Sequence, residues 1–533
     1  MPAIFLAKGL AMPFKLGMSD TSRILKLGAT ALLILVLILL LAFPYYRTAV
    51  VYDEGFALTN AIRVMRGDVP FLDFWSVYPP GTSYSLALFF SIFEPTIETS
   101  RAVHLVWVCL LIASAHRLLM ATLSTPLNYV ATALVGLWSC VGILPASSMA
   151  PALALALVCI AAFIKGYLVK GALWITVGGL AGGLIVFFRH DVSFYLFSSF
   201  LVCYCVLSLK TTKTEGPAAR DFILRFSLIY LITTLLALTA IITRSGITPF
   251  IEQALIFPAM IQREQRFLPF PGFTSIWDQS IDLSRWLLAW LTPCILSVAI
   301  LFVATVRRHI CEISLITITI TWMMTLLLLP QALGRLDLPH VTPSMIFLVI
   351  MTFSTASALL QIANVGTRIS VLAIVTALIF YSIVSTVSLA RVEDVARCLT
   401  DANCSRTHDD QTAVVDFINQ NVPPDEPIFV GNLRHDRIHI NDALLYFLLN
   451  RPIPTKWNEM HPGEVTTAQV QTKMVEQLKQ NKVSVVILVD MPSGYESNAS
   501  EISSSVFVLD TYLWRNFSSR WRHGRYTVML RDR

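Results

Sequence analysis

Long apolar runs recur through this chain of 533 residues, and each is close to the length of a membrane-spanning helix. A helix crosses the hydrocarbon core of a bilayer with about 20 mostly apolar residues. Charged residues make up only 14% of the chain, against about 25% in soluble domains. An integral membrane protein is therefore predicted, which excludes cytosolic enzymes, nucleic-acid binders and disordered scaffolds. The pattern predicts eleven spans, near residues 24–43, 101–121, 127–143, 150–167, 171–188, 192–209, 226–243, 285–306, 312–330, 342–361 and 369–389.

The membrane orientation follows from the loops. The first run predicts a retained helix rather than a secretory signal, because it is long and residues 44–47 offer no small-residue cleavage site. The run 81–93 lies between prolines and is too short to cross, which predicts a re-entrant or interfacial helix. If this run does not cross the membrane, Lys and Arg concentrate in the loops that lie on the same side as the N-terminus. Because Lys and Arg are enriched in cytoplasmic loops, the N-terminus is predicted to be cytoplasmic.

Composition changes at residue 391. Residues 391–533 hold 18 of the 34 acidic residues, and an odd number of spans places them outside the membrane. We therefore predict a transmembrane domain over 1–390, with a long outer loop at 44–100, and a soluble extracytoplasmic domain over 391–533. In the soluble domain, helical and strand patterns alternate along the sequence, which predicts a small α/β domain with a partly parallel sheet. The predicted strands are 427–430, 483–489 and 526–530, and the predicted helices are 412–421, 441–449 and 466–480.

Two adjacent carboxylates, Asp53 and Glu54, lie just beyond the outer end of the first span. At an apolar boundary they repel each other and lose hydration, which raises the pKa of one of them. A carboxylate with a raised pKa suits a general base that takes a proton from a hydroxyl group. The same residues could instead belong to a solvated loop, or be first-turn acids of a helix over 55–66.

The segment around these carboxylates resembles the first outer loop of GT-C glycosyltransferases. The nearest groups are glycosyltransferase family 39, the protein O-mannosyltransferases, and the lipid A aminoarabinose transferases. The resemblance implies a polytopic α-helical membrane fold of the GT-C type with an outer C-terminal domain. It rests on Tyr52-Asp53-Glu54-Gly55, Ala61, Arg66-Gly67-Asp68-Val69-Pro70, Asp73-Phe74-Trp75, Tyr78-Pro79-Pro80-Gly81 and Arg101.

The resemblance also implies an activity. These enzymes transfer a sugar, with inversion, from a polyprenyl-phosphate donor to an acceptor on the outer face. It implies that Asp53 is the catalytic base and that Glu54 is its partner, positioning the acceptor or a metal. Relatives usually carry a second acidic residue in the next outer loop, but residues 144–150 contain none. A lipid-linked donor implies no cofactor, with a divalent metal as the one alternative.

A first charged cluster, Arg189-His190-Asp191, lies at the outer end of the fifth predicted span. Charged groups are costly inside the bilayer, so these side chains should face the interface or a cavity. Arg189 could bind the donor phosphate, because a guanidinium matches phosphate oxygens in a bidentate way. The alternative is a short loop in which Arg189 and Asp191 pair with each other.

A second cluster, Arg335, Asp337 and His340, lies between the ninth and tenth predicted spans. Arg335 could stabilise the charge on a departing phosphate, and His340 could hydrogen-bond the phosphate or the sugar. A surface turn with an Arg335–Asp337 pair is the alternative. Arg263 and Arg266 are weaker phosphate candidates, more typical of residues that snorkel to the interface.

The loop 431–439 of the outer domain follows a predicted strand, where ligands often bind. Acceptor contact, or docking onto the membrane domain, is expected there. A metal site is disfavoured because the spacing of His435, Asp436 and His439 matches no known site. Cys398 and Cys404 could form a disulfide or remain two free thiols.

These patterns lead to one main hypothesis and its rivals. The chain is predicted to be a glycosyltransferase of the bacterial inner membrane whose partners are membrane lipids, a polyprenyl-phosphate sugar and a glycan, lipid or protein acceptor. Nucleic acid is not an expected partner. A transporter or flippase for a lipid-linked or anionic substrate is the rival, although charges at helix ends and the lack of an inverted repeat disfavour it. An inactive GT-C relative is a third hypothesis.

Overall fold

The computed structural model describes residues 20–169, 171–208, 216–272, 311–362, 365–389, 407–491 and 498–532. Within these ranges, eight helices are long and apolar enough to cross a membrane. A π-helix, Ile251–Gln262, lies between two short α-helices, Ile247–Phe250 and Arg263–Arg266. The helices of the membrane part are α1 (Asp20–Tyr46), α2 (Asp53–Met65), α3 (Gly81–Ile92), α4 (Ile97–Met120), α5 (Thr125–Gly142), α6 (Met149–Val169), α7 (Ala172–Leu184), α8 (His190–Ser208), α9 (Gly216–Ser245), α10 (Ile247–Phe250), α11 (Arg263–Arg266), α12 (Glu312–Gly334), α13 (Leu338–Ile362) and α14 (Val365–Leu389).

Every predicted span that falls within the described residues coincides with a helix, so the polytopic helical fold is confirmed. The predicted span at 285–306 lies outside them, and the total of eleven therefore stays a prediction. Cys398 and Cys404 also lie outside the described residues. The interfacial prediction for 81–93 coincides with α3, whose 12 residues give a length of about 18 Å, well short of the roughly 30 Å hydrocarbon core.

The C-terminal domain contains a four-stranded sheet whose strands are ordered β1 (Ile428–Asn432), β2 (Val485–Val489), β4 (Tyr526–Arg531) and β3 (Phe517–His523). β1 and β2 are parallel and fully buried, while the β2–β4 and β4–β3 pairs are antiparallel. The predicted α/β domain with a partly parallel sheet is thus confirmed. Its elements are α15 (Asp409–Asn421), β1 (Ile428–Asn432), α16 (Leu444–Leu449), α17 (Ala468–Gln480), β2 (Val485–Val489), α18 (Val508–Asn516), β3 (Phe517–His523) and β4 (Tyr526–Arg531).

Helix α2 joins the two parts of the chain. A Cβ atom at Gly55 would lie 2.3 Å from the backbone nitrogen of Leu444, so only glycine allows α2 to lie this close to α16. Leu444 donates its backbone N–H to the carbonyl of Val51 at 2.9 Å, and the Thr59 hydroxyl donates to the carbonyl of Ala443 at 2.9 Å. The segment that carries the predicted catalytic acids is therefore held directly against the C-terminal domain.

One carboxylate of this domain should make stability depend on pH. Burial raises the pKa of Glu464 to about 6, while its Oε1 accepts a hydrogen bond from the Trp457 indole at 3.2 Å. A raised pKa in the folded state stabilises the protein at low pH, and this contribution is lost as the pH rises through about 6. We expect Glu464→Gln to stabilise the protein by roughly 1 kcal/mol near pH 8 and by about nothing near pH 4, after allowing for partial exposure.

The measurement is the melting temperature of the purified variant and the wild type at both pH values. A melting temperature that falls near pH 8 would contradict this account.

Candidate active site

A cavity of about 850 Å³ lies where α2 meets the C-terminal domain. Its walls come from stretches far apart in sequence: the start of α2, the loop before α6, the start of α8, α11, residues 335–340 and residues 459–461. Six of the eight predicted site residues line it, and they are Asp53, Arg189, Asp191, Arg335, Asp337 and His340. The structure thus brings together residues from three predicted clusters.

Asp53 is the first residue of α2 and is half-buried in the cavity wall. Burial raises the pKa of its carboxyl group above the ordinary value, and the charges of Arg266, His340 and Arg335 oppose this rise. Among the described residues, none forms a hydrogen bond or an ion pair with this carboxylate. An aspartate with a raised pKa and no fixed partner is well suited to accept a proton.

Glu54 lies elsewhere, which corrects the expectation that it faces an acceptor or a metal. Arg101 donates from Nε and Nη2 to the two carboxylate oxygens of Glu54, at 2.9 and 3.0 Å, and both side chains are fully buried. The backbone N–H of Val50 also donates to Oε2 at 3.1 Å. Successive helical residues point about 100° apart, so Glu54 is directed into the packing while Asp53 faces the cavity. The pair therefore anchors α2 to α4.

In the first cluster, Arg189 and Asp191 pair with each other at the cavity, and phosphate binding by Arg189 stays a prediction. Arg189 donates from Nε and Nη2 to the carboxylate of Asp191, at 2.9 and 2.5 Å, which is the pairing that the alternative expected. The same two residues line the cavity, and the Arg189 guanidinium lies 4.9 Å from the ring centre of Tyr78. His190 is not among the described residues that line the cavity, which corrects its predicted place in the site. Arg189 is therefore both paired and available to the cavity.

Asp337 organises the second cluster. Arg335 donates from Nε to its Oδ2 at 3.2 Å, while the backbone N–H of His340 donates to Oδ1 at 3.0 Å. The imidazole Nδ1 of His340 also lies 2.5 Å from Oδ1. Burial alone would raise the pKa of Asp337, but the His340 and Arg335 charges and these hydrogen bonds hold it below its usual range. The carboxylate stays ionised and fixes a cation and an imidazole at the cavity.

Four further residues line the cavity that the sequence does not single out as site residues: Tyr52, Arg266, Glu459 and His461. The sequence favours an interfacial position for Arg266, yet its Nε is buried and has no hydrogen-bond partner among the described residues. Its guanidinium lies 5.9 Å from the ring centre of Tyr52. Tyr52 adjoins Asp53 in the sequence, which was the available signal. Glu459 and His461 had no signal, because they are brought in only by the docking of the C-terminal domain.

The cavity therefore combines an unpaired carboxylate with a set of cationic side chains. Guanidinium groups bind phosphate oxygens through parallel hydrogen bonds, and a nearby base can accept a proton from a bound hydroxyl. In the part of the chain that the structure describes, no group of three or more His, Cys, Asp or Glu is placed to hold a metal ion. Of the loop 431–439, His439 reaches the cavity, whereas His435 pairs with Asp510 at 2.7 Å.

No family profile matches the sequence, and no curated protein sequence matches it. The structure, however, is similar to ArnT from Cupriavidus metallidurans bound to undecaprenyl phosphate, with a TM-score of 0.57 and 14% identity over 96% of this chain and 98% of that one. The apo state of the same protein gives a TM-score of 0.54 and 13% identity over 96% and 98%.

A second solved protein is also similar. The Archaeoglobus fulgidus oligosaccharyltransferase in the apo form gives a TM-score of 0.51 and 10% identity, over 89% of this chain and 70% of that one. At these identities the similarity concerns the fold. The chain thus shares its fold with these two solved membrane proteins.

Proposed function

We propose that this chain, which has the GT-C fold, is an inverting glycosyltransferase that moves a sugar from a polyprenyl-phosphate donor to an acceptor at the outer face of the membrane. The observation that carries the proposal is the cavity that the unpaired Asp53 carboxylate shares with Arg335, Arg189 and Arg266, of which Arg266 and Arg335 lie close enough for their charges to act on Asp53. The similar fold of an ArnT bound to undecaprenyl phosphate supports a lipid phosphate as the ligand of those cations.

The proposed reaction is a single displacement at the anomeric carbon. The acceptor hydroxyl gives its proton to Asp53 while its oxygen bonds to the anomeric carbon. The bond between that carbon and the phosphate oxygen breaks, and its electron pair leaves with the polyprenyl phosphate. Attack and departure occur on opposite faces of the sugar, so the anomeric configuration inverts.

The cationic side chains are proposed to act on the leaving group. Negative charge grows on the phosphate as the bond breaks, and fixed guanidinium groups stabilise this charge without reorganising. Asp337 and Asp191 hold Arg335 and Arg189 in place through the hydrogen bonds described above. The step uses no redox or nucleotide cofactor, because the lipid-linked donor carries its own leaving group. We assign no metal to it.

The remaining assignments follow from the same proposal. The chain would reside in a bacterial inner membrane, with the cavity and the C-terminal domain on the outer side. The acceptor would be a lipid, a glycan or a protein of the cell envelope. The direct test supplies membranes containing this protein with radiolabelled polyprenyl-phosphate sugars and envelope extract. Label should move from the donor to an acceptor; lipid binding without transfer across a broad donor panel would contradict the proposal.

Removal of one cation should weaken lipid phosphate binding. We expect Arg335→Met to raise the dissociation constant for undecaprenyl phosphate roughly 10- to 100-fold, because a charge-assisted hydrogen bond contributes about 1.5–3 kcal/mol. The measurement is titration of the purified protein in detergent with undecaprenyl phosphate. Arg225→Met is the matched control, since Arg225 belongs to an exposed Arg–Asp pair outside the cavity. Equal affinity in both variants would remove Arg335 from the phosphate site.

A further inference from the structure

The C-terminal domain contributes a buried carboxylate to the cavity. Glu459 and His461 lie between α16 and α17, and their side chains are 0% and 2% exposed. The imidazole Nε2 of His461 lies 2.7 Å from Glu459 Oε1, while its Nδ1 lies 3.1 Å from the hydroxyl of Tyr52. The Tyr52 hydroxyl also lies 3.2 Å from Nε2. When Nε2 carries the ring proton and donates it to Glu459, Nδ1 is the nitrogen that can accept from Tyr52. Three residues thus form a chain of hydrogen bonds from the domain to the residue beside Asp53.

The tyrosine end of this chain is held in its protonated form. Burial and the charge of Glu459 raise the pKa of Tyr52 well above its ordinary value. The phenol therefore keeps its proton and remains a hydrogen-bond donor. Its hydroxyl also lies 3.3 Å from the carbonyl of Met460, a second acceptor on the same loop. The position of Glu459 is thereby fixed relative to α2.

One carboxylate oxygen of Glu459 accepts no hydrogen bond from the described residues. Oε1 is engaged by His461, but Oε2 is buried and has no hydrogen-bond partner among the described residues, although Glu459 lines the cavity. A buried carboxylate oxygen without a donor is costly, and native proteins leave few such atoms unsatisfied. A ligand in the cavity that donates a hydrogen bond would satisfy it.

We propose that Glu459 forms a second carboxylate subsite, which binds a hydroxyl or ammonium group of the donor sugar or of the acceptor. This inference rests on the proposed function and extends it to the substrate. Asp191 and Asp337 also line the described cavity, but hydrogen bonds engage both of their carboxylate oxygens. Besides Asp53, the lining carboxylate with an unengaged oxygen is therefore Glu459, which comes from the C-terminal domain. Glu459 is a binding residue in this scheme, whereas Tyr52 and His461 are positioning residues that hold it.

The test compares Glu459→Gln with Glu464→Gln in the purified full-length protein. Both variants make the same chemical change five residues apart, but Glu464 does not line the cavity. Glutamine still accepts from His461, and its amide places a donor where the free oxygen was. We expect Glu459→Gln to lower kcat/KM for transfer roughly 10- to 100-fold. The same variant should bind undecaprenyl phosphate as tightly as the wild type does, because that lipid carries no sugar. Glu464→Gln should match the wild type in both.

The Michaelis constant that rises identifies the source of the bound group. A higher KM for the glycosylated lipid, with weaker binding of that lipid, assigns the donor sugar; a higher KM for envelope acceptor alone assigns the acceptor. Transfer by Glu459→Gln at the wild-type rate would overturn the subsite. If the wild type transfers nothing, the proposed function fails. The subsite is then supported only by a selective loss of glycosylated-lipid binding in Glu459→Gln, and equal binding overturns it.

Discussion

Substitution of Asp53 by asparagine should reduce sugar transfer by about 10²- to 10⁴-fold, the range that a positioned general base contributes. The variant keeps the size and the helical position of the side chain, but an amide cannot take the proton of the acceptor hydroxyl. The assay follows loss of label from a radiolabelled polyprenyl-phosphate sugar in membranes with matched expression. Asp416→Asn, on the exposed face of α15, is the control for the same change away from the cavity.

The same residue should set the acid limb of the pH profile. Burial raises the pKa of Asp53, so the carboxylate is protonated at a higher pH than an exposed aspartate would be. Because the reaction needs the ionised form, transfer by the wild type should fall as the pH drops through this raised pKa. Residual transfer by Asp53→Asn should lack that limb. Equal transfer by wild type and variant would remove Asp53 from the mechanism and direct attention to Arg189 and Asp191.

The second large effect is expected on stability. Arg101→Met should destabilise the protein by about 3–5 kcal/mol, because Glu54 would be left as an uncompensated buried charge. Arg101 also donates from Nη1 to the carbonyls of Tyr45 and Arg47, at 2.8 and 2.6 Å, so the end of α1 loses two contacts. The measurement is the melting temperature and the yield of folded protein in detergent.

Two comparison variants make this result specific. Arg117→Met changes an exposed arginine on the same helix and should leave the melting temperature nearly unchanged. The double variant Glu54→Gln with Arg101→Met removes both charges and should recover part of the loss, since no lone ion remains. An unaltered melting temperature in Arg101→Met would show that the pair does not anchor α2, and a catalytic role for Glu54 would have to be reconsidered.

Much of the candidate site could be predicted because the ends of the apolar runs show which residues lie at the membrane surface. Asp53, Arg189 and Arg335 are far apart in sequence, but each lies at an end of a predicted span that faces the same side. Apolar runs fix those ends without any knowledge of tertiary contacts. Residues at the same depth and on the same side of the membrane are confined to one layer of the protein. The structure places all three of these residues in the wall of one cavity.

The features of the candidate site that could not be predicted depend on the direction in which a helical side chain points and on how the C-terminal domain packs against α2. Adjacent acids look equivalent in a sequence, and only the helical rotation that starts at Asp53 sends Glu54 toward Arg101. Glu459 lies in an irregular segment with no periodic pattern, and its role depends on how α16 meets Gly55. The strand β3 also had no signal, because its side chains are mostly polar and lie at the edge of the sheet.

The docking of α2 onto the C-terminal domain has a consequence for biosynthesis. Asp53 and Glu459 are separated by about 400 residues, which a ribosome adds in about 20–80 s. During that time α2 has been synthesised, but Leu444 and its neighbours, against which α2 packs in the folded protein, have not. The nascent chain therefore needs other protection for the apolar side of α2. A chain that terminates before the C-terminal domain keeps Asp53, the proposed catalytic base, but lacks the residues of that domain that line the cavity around it.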